Sequence, residues 1–390
     1  MRGRIDTQAK MFAYVDLEQR VSQTHPLRRI KAIADSALAA MDSALTSLYK
    51  PLGRDSIPPE QLLKATLLQI IHGIRSERQL VERIDDSMTF RWFLDLGIDG
   101  EVWVPTVYSH NRDRLLTTYV ARQFLSEVVD QARKRGFVSE EHFSVDGTLL
   151  QAWASIKSYQ EMPTESKDGN APSTSEVPHA DPSSNAESKP KAEAPILPKG
   201  KDVVRDFRGE KFANATHRSK TDPDARLARK SDNTTAKPSY LGNALMENRS
   251  GLVVQGEVRL ACSDGGETGA ALAMIDREEG NHQITLAADK GYDTKDFIDS
   301  LKENATTPHV AQNKTAHRGS SVPDEIAKTP EYAVSIRCRK RIEQVFGWVK
   351  LAGCLRQVKI RGKAAVDALF VLALSAYNLV RMNNLIAAKA

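Results

Sequence analysis

The chain has 390 residues, more than one typical domain, and its 41% hydrophobic and 27% charged residues are ordinary for a protein that buries a core. Collagenous, coiled-coil and globally disordered classes are excluded by those values. A formal net charge of +5 says little about partners on its own, and three cysteines, Cys262, Cys338 and Cys354, make neither an even disulfide framework nor a short-spaced metal pair. A reducing cytosol is the compartment this cysteine usage suggests. The first residues, with Arg2, Arg4 and Asp6, lack an apolar signal core, so export is not expected.

Residues 1–138 read as helical. Leu27, Ile30, Ala34, Ala37, Met41, Leu45 and Leu48 recur at three- to four-residue intervals and form one amphipathic face. A second helix should begin after Pro58 and Pro59, with Leu62, Leu63, Leu67, Ile70 and Ile71 on its apolar side. Two more follow, one over Thr106 to Leu115 and one carrying Val120, Phe124, Val128 and Ala132, which stops at Gly136, a residue suited to a left-handed cap. The period then changes. His142 to Leu150, HFSVDGTLL, is β-branched and apolar around a central acid and predicts a strand.

Residues 159–200 are rich in Pro, Ser, Ala, Glu and Lys without periodic apolar positions, the composition of a disordered insertion. Beyond them, strands are expected near Tyr240 and over Gly251 to Cys262. A short helix from Gly269 to Glu279 and a strand ending at Asp289 should follow, then a helix from Thr294 to about Asn304 and a short strand near Pro308 to Ala311. From Tyr332 onward the pattern suggests two helices around a basic turn at Arg361 and Gly362. The apolar run Ala368 to Ala376, bounded by Asp367, Asn378 and Arg381, is too short to cross a bilayer and reads as a buried helix, so no membrane is expected among the partners. Strands alternating with helices imply an α/β layer architecture behind a helical front.

Three acids draw attention. Asp146 sits inside an apolar strand, where an unpaired carboxylate is costly unless a cation or donors compensate, and Gly147 beside it permits close approach by a ligand. Asp289 ends a second apolar strand, at the kind of edge where α/β sheets bind ligands. Glu343 lies in RCRKRIEQVFGWVK, where Arg339, Glu343 and Lys350 are spaced to share a helix face and Ile342 and Phe346 could pack that helix on the sheet. Singly, each acid could be a solvent-facing strand acid, a turn acid or surface decoration. Together they could hold two Mg²⁺ ions, hard cations that prefer oxygen, with Mn²⁺ as a substitute, for an in-line displacement at phosphorus.

From Arg337 to Lys363 there are nine basic residues against the single acid Glu343, a candidate phosphate-facing surface or else a solvated basic face. Trp153 and Trp348 lie on the same elements as Asp146 and Glu343, flanking the proposed site, and could stack on bases or pack the core. His142, His282, His309 and His317 lack ligand spacing and read as structural.

VDGT around Asp146, DKGY around Asp289 and R-x3-E-x6-K at Arg339, Glu343 and Lys350 together resemble the DDE transposases of bacterial insertion sequences. TDPDA (Thr221 to Ala225) and YLGNALMENRSGLVV are similar to segments of the same family, so the resemblance spans most of the chain. The chain departs from the pattern at Ile336, where the family usually has Tyr three residues before the Arg. The resemblance implies a ribonuclease H-like mixed sheet flanked by helices, with an all-helical N-terminal domain and a disordered insertion. Residues 1–138 would bind DNA or oligomerise, 139–158 begin the catalytic core, 159–200 form the insertion and 201–390 complete the core.

It further implies Asp146, Asp289 and Glu343 as catalytic metal-holding residues, with Arg339, Lys350, Tyr292, Arg337, Lys340 and Arg341 on DNA or phosphate. The implied partners are double-stranded DNA with terminal inverted repeats, target DNA and further copies of the chain in a homodimer or higher oligomer, in the bacterial cytoplasm at the nucleoid. A DNA-binding regulator without chemistry and a stand-alone ribonuclease H-like nuclease are the competing readings.

Overall fold

A computed structural model describes residues 14–50, 56–162, 203–207, 210–231, 233–262, 265–278, 283–314 and 319–389. The helical front comprises α1 (Leu17–Arg20), α2 (Pro26–Ala40), α3 (Asp42–Ser47), α4 (Pro59–Ile71), α5 (Glu77–Asp86), α6 (Met88–Phe93), α7 (Pro105–Leu115) and α8 (Thr118–Lys134). Proline occupies the first turn of α2, α4 and α7, where its missing N–H costs nothing. The side chains of Ser76, Ser87 and Thr117 cap α5, α6 and α8 by accepting the N–H of Gln79, Phe90 and Val120. Gly136, at φ +66°, turns the chain out of α8 toward the first strand.

The single amphipathic face expected over Leu27 to Leu48 is divided at Met41, whose backbone (φ −97°, ψ 4°) leaves the helix between α2 and α3. The short helices α1, α5 and α6 escape the periodic pattern. The ten-residue α5, for instance, buries only Leu80 and Ile84.

After these come β1 (His142–Gln151), β2 (Tyr159–Glu161), β3 (Val203–Phe207), β4 (Glu210–Ala213), β5 (His217–Ser219), β6 (Arg226–Ala228), β7 (Lys237–Glu247) and β8 (Val253–Leu260). Helix α9 (Gly266–Asp276), β9 (Ile284–Ala288), α10 (Lys295–Glu303), β10 (Thr306–Val310), α11 (Asp324–Ala327), α12 (Pro330–Arg339), α13 (Ile342–Leu351) and α14 (Lys363–Lys389) complete the chain. The main sheet runs β10-β9-β1-β7, with β8 and β6 both on β7. β7 is antiparallel to both of its long neighbours, β1 and β8, whereas β1, β9 and β10 are parallel. This is the ribonuclease H-like arrangement, a mixed sheet flanked by helices.

The expected insertion lies outside the described residues from 163 to 202, but its first residues are ordered differently from the expectation. Tyr159–Glu161 is a strand paired with His217–Ser219, too short for alternation to reveal. Tyr159, Phe212, Leu227 and Ala236 form a small satellite core there.

Helix α14 ties the halves together. It packs on α8 and on β8, so the helical front and the sheet share one hydrophobic core running from Val21 to Met382. The helix is long and apolar enough to span a membrane by length and composition, unlike the nine-residue run read from the sequence, yet 67% of its apolar window is buried inside the protein. Glycines in the facing strands make the close contact possible. A Cβ on Gly242 would lie 3.0 Å from the Phe370 ring. Along β8, Asp367 accepts the Val258 N–H at 2.6 Å, while Asn378 accepts the Val253 N–H at 2.9 Å and donates to the Val253 carbonyl at 2.7 Å. The long helix therefore satisfies backbone groups of a strand that, among the described residues, has a partner strand on one side alone.

The TDPDA segment anchors the start of the same helix. Buried Asp222 accepts the Tyr240 hydroxyl at 2.7 Å and the Gly362 N–H at 3.2 Å, and Asp224 accepts the Lys363 N–H at 2.8 Å. Replacing Asp222 by Ala strands two donors at once, and each lost partner in a buried site costs on the order of 1–3 kcal/mol. Urea unfolding of Asp222→Ala should show a lower midpoint, equivalent to about 2–4 kcal/mol, with an unchanged slope. A wild-type midpoint would contradict this account of the segment.

Candidate active site

The two strand acids lie where parallel strands part. β1 and β9 pair over His142–Ser144 and Thr285–Ala287, so Asp146 stands just past the last paired residue and Asp289 just past the end of β9. On its other side β1 stays antiparallel to β7, with Asp146 opposite Ala244. A strand flanked by one parallel and one antiparallel neighbour is a point of topological change, and the ends of the parallel strands open a crevice there. Asp146 accepts the Gly147 N–H at 2.8 Å, and Asp289 accepts the Gly291 N–H at 2.7 Å, which caps the short 3-10 turn Lys290–Tyr292.

Glu343 arrives differently from the single helix expected. RCRKRIEQVFGWVK is two helices, because the chain tightens at Lys340 and Arg341 into i→i+3 bonds, Arg341 N–H to the Cys338 carbonyl and Gln344 N–H to the Arg341 carbonyl. Arg339 ends α12 and Glu343 lies in the first turn of α13, so they stand on two consecutive helices rather than one. Both still line the same cavity, of about 1130 Å³, together with Asp146, Asp289 and Lys350. Ile342 and Phe346 are buried, and α13 packs on β1, as that part of the pattern suggested.

Other expected contacts fall elsewhere. Arg337, Lys340 and Arg341 do not line this cavity. Arg341 instead donates to the carbonyls of Asn248 and Arg249 at 2.7 and 2.9 Å, on the wall of another depression with Cys338 and His142. Tyr292 does line the cavity, but its ring is 1% exposed and packs on Phe297 with centroids 5.5 Å apart, so it offers no face for stacking on DNA. Trp153 is exposed in a separate pocket and Trp348 packs edge-on against Tyr377, so neither reaches the acids. His309 is buried, hydrogen-bonded to Ser335 and pushed down to about 4 by that burial, as a structural histidine would be. His282 and His317 lie outside the described residues.

Three charged residues at the cavity were missed in the sequence: Arg229, Lys230 and Glu267. The first two come shortly after the TDPDA segment, with Arg226, Leu227 and Ala228 between, and that proximity was their only signal. Glu267 was hidden because the helix expected from Gly269 begins at Gly266.

Acids and bases share the wall of this cavity. Burial pushes Asp146 up to about 6, the charges of Asp289 and Glu343 push the same way, and the Gly147 N–H and Arg339 oppose them. Lys350 is held below the usual lysine range by burial first, then by Lys230 and Arg356. Arg339 has a buried Nε without a hydrogen-bond partner among the described residues. Acids on one part of the wall would gain from cations, and bases on another from an anion. Among the described residues no three His, Cys, Asp or Glu side chains are gathered tightly enough to cage an ion, so the acids face a common space rather than one another at contact. Their donors are all oxygens, the set that suits Mg²⁺ or Mn²⁺.

Residues 15–114 match the family described as Transposase domain (DUF772), and residues 212–379 match Transposase DDE domain. The chain belongs to the DDE transposases. The second match contains Asp289, Arg339, Glu343 and Lys350 and begins after Asp146. Among solved structures, the cryo-EM structure of the piggyBac transposase synaptic complex with hairpin DNA is similar over 93% of this chain and 76% of that one, at 7% identity and a TM-score of 0.40. That likeness is too distant to carry an argument about this transposase. A comparison with curated proteins gives no match.

The shift at Asp146 fixes a pH dependence in metal-free buffer. Because the folded protein holds this proton more tightly than the unfolded chain does, stability falls as pH rises from about 4 through about 6. Asp146→Asn removes the ionisation. With EDTA present, the variant should be more stable than the parent at pH 7 by about 1–2 kcal/mol, allowing for the solvent that still reaches the group, and no more stable at pH 4. Equal stabilities at pH 7 would show that the carboxylate is not strained.

Proposed function

We propose that this transposase binds double-stranded DNA carrying its terminal inverted repeats, cuts the ends and joins them to target DNA, using two Mg²⁺ ions for which Mn²⁺ substitutes. The observation that supports this reading is the convergence of Asp146, Asp289 and Glu343, from a central strand, a neighbouring strand end and a helix, on one cavity with a basic wall. Divalent ions bound there would polarise a phosphoryl oxygen and favour ionisation of the attacking hydroxyl, from water or a DNA 3′ end.

The chain's own residues set the conditions for that chemistry. Asp146 keeps its proton to about pH 6 while uncompensated, and releases it when positive charge enters the cavity. Asp289 is held in place by its bond to the Gly291 N–H, which leaves its second oxygen for a ligand. Arg339, Lys350, Arg229 and Lys230 bind and orient phosphate, and an arriving phosphate relieves the crowding of Lys230 on Lys350. Ile342 and Phe346, buried beneath Glu343, keep its helix on the sheet so that the third acid stays within reach.

In this reading the helical front, through α8, recognises the repeats or joins copies of the chain into a homodimer or larger assembly on DNA, and residues from β1 onward form the catalytic core. The protein acts at the nucleoid in the bacterial cytoplasm. Purified protein incubated with a labelled fragment carrying the element ends and Mg²⁺ should nick at the ends. Asp146→Asn, Asp289→Asn and Glu343→Gln should each reduce cleavage by at least about a thousandfold, equivalent to about 4 kcal/mol, while retaining end binding. If any two of these variants still cut, the assignment fails. Binding without nicking by the parent protein would favour a regulator, and cutting that ignores the repeat sequence would favour a stand-alone nuclease.

A further inference from the structure

Next to Asp146 stands an acid outside the three-motif pattern. Glu267, in the first turn of α9, is packed directly over Gly147: a Cβ at position 147 would lie 2.6 Å from Glu267 Oε1 and 2.8 Å from its Cγ and Cδ. No side-chain-bearing residue at 147 leaves the carboxylate where it is, so the glycine following Asp146 has a specific steric task.

The approach is built by the backbone. Gly265 and Gly266 take φ +74° and +37°, values that swing the start of α9 over β1 and that other residues rarely adopt. Arg259 then fixes the helix start by donating to the Gly269 carbonyl at 2.8 Å. The result is four carboxylates, Asp146, Glu267, Asp289 and Glu343, lining one cavity.

A second observation at the same place points to a ligand. Tyr292 is 1% exposed and lines this cavity, and among the described residues its hydroxyl has no hydrogen-bond partner. A buried donor of this kind is normally satisfied by protein or by an ordered, bound species. Burial first, and then the charges of Glu267, Asp146 and Asp289, resist its ionisation, and these three acids line the same cavity.

The geometry points to Glu267 as a fourth oxygen ligand of the cavity, holding a divalent cation or its water shell beside Asp146, with the Tyr292 hydroxyl bonded to the same shell. This rests on the reading of the cavity as a metal site and adds to it a residue that the three-acid pattern omits. Gly147 serves the same end by leaving the Glu267 carboxylate room beside the strand.

The test is Mn²⁺ binding to the full chain without DNA, followed by the electron paramagnetic resonance signal of free Mn²⁺. Glu267→Gln should bind at least about tenfold more weakly than the parent, as should Gly147→Ala, whose methyl group displaces the carboxylate. The double variant should be no weaker than Glu267→Gln alone, because both changes act on one group. Melting in EDTA should give Glu267→Gln a midpoint no lower than the parent's, which separates lost metal binding from lost folding. Parental Mn²⁺ affinity in Glu267→Gln, alongside weakened binding in Asp146→Asn, overturns the role of Glu267 and leaves the three-acid site standing. Parental affinity in Asp146→Asn as well overturns both.

Discussion

A carboxylate drawn partly out of water on the central strand, facing other acids, is the constraint on which this structure turns. Asp146 is disfavoured as an anion by its surroundings, and neither the Gly147 N–H nor Arg339 compensates fully. Burial without a partner is tolerated in a folded protein only where the rest of the structure maintains it. Here the maintenance comes from β1 itself, bonded to β7 on one side and to β9 on the other, so the acid cannot swing away without breaking the sheet. The same pairing explains why the site lies where it does, since β1 and β9 separate after Ser144 and leave the following residues to face open space.

The remainder of the core keeps that strand in place. Helix α14 lies on β7 and β8, fills the space left by Gly242 and Gly256, and supplies Asp367 and Asn378 to the exposed backbone of β8. Its other side packs on α8, which makes the helical front part of the same hydrophobic core as the sheet. A disturbance at one is therefore felt at the other through packed side chains that do not deform smoothly. The Asp222 and Asp224 bonds to the start of α14 extend this coupling to the segment that returns from the insertion.

Much of this was legible in the sequence where one physical signal dominated. Apolar alternation around a lone acid marked β1 and Asp146, and an apolar run ending in Asp-Lys-Gly marked β9 and Asp289. Proline at first turns and glycine after α8 marked helix limits. What was not legible depended on tertiary context. The break at Lys340 and Arg341 keeps α-region backbone angles, so helical spacing passes through it unaltered. Tyr292 reads as a surface aromatic beside a glycine, and only packing on Phe297 reveals its burial. Arg341 carries the same charge as its neighbours, yet it is used on two backbone carbonyls rather than at the cavity. Glu267 depends on two left-handed glycines whose effect on the path of α9 has no periodic signature.

The proposed reaction requires acids from three elements to take up divalent cations in one cavity when DNA is present. Anomalous diffraction from crystals of the protein with a cleaved element end and Mn²⁺ addresses it directly. Two Mn²⁺ peaks are expected in that cavity, with carboxylate oxygens of Asp146, Asp289 and Glu343 about 2.1 Å from the metal and the DNA phosphate toward Arg339 and Lys350. Bound DNA with Mn²⁺ absent from the cavity, or coordinated by other residues, would contradict the proposal.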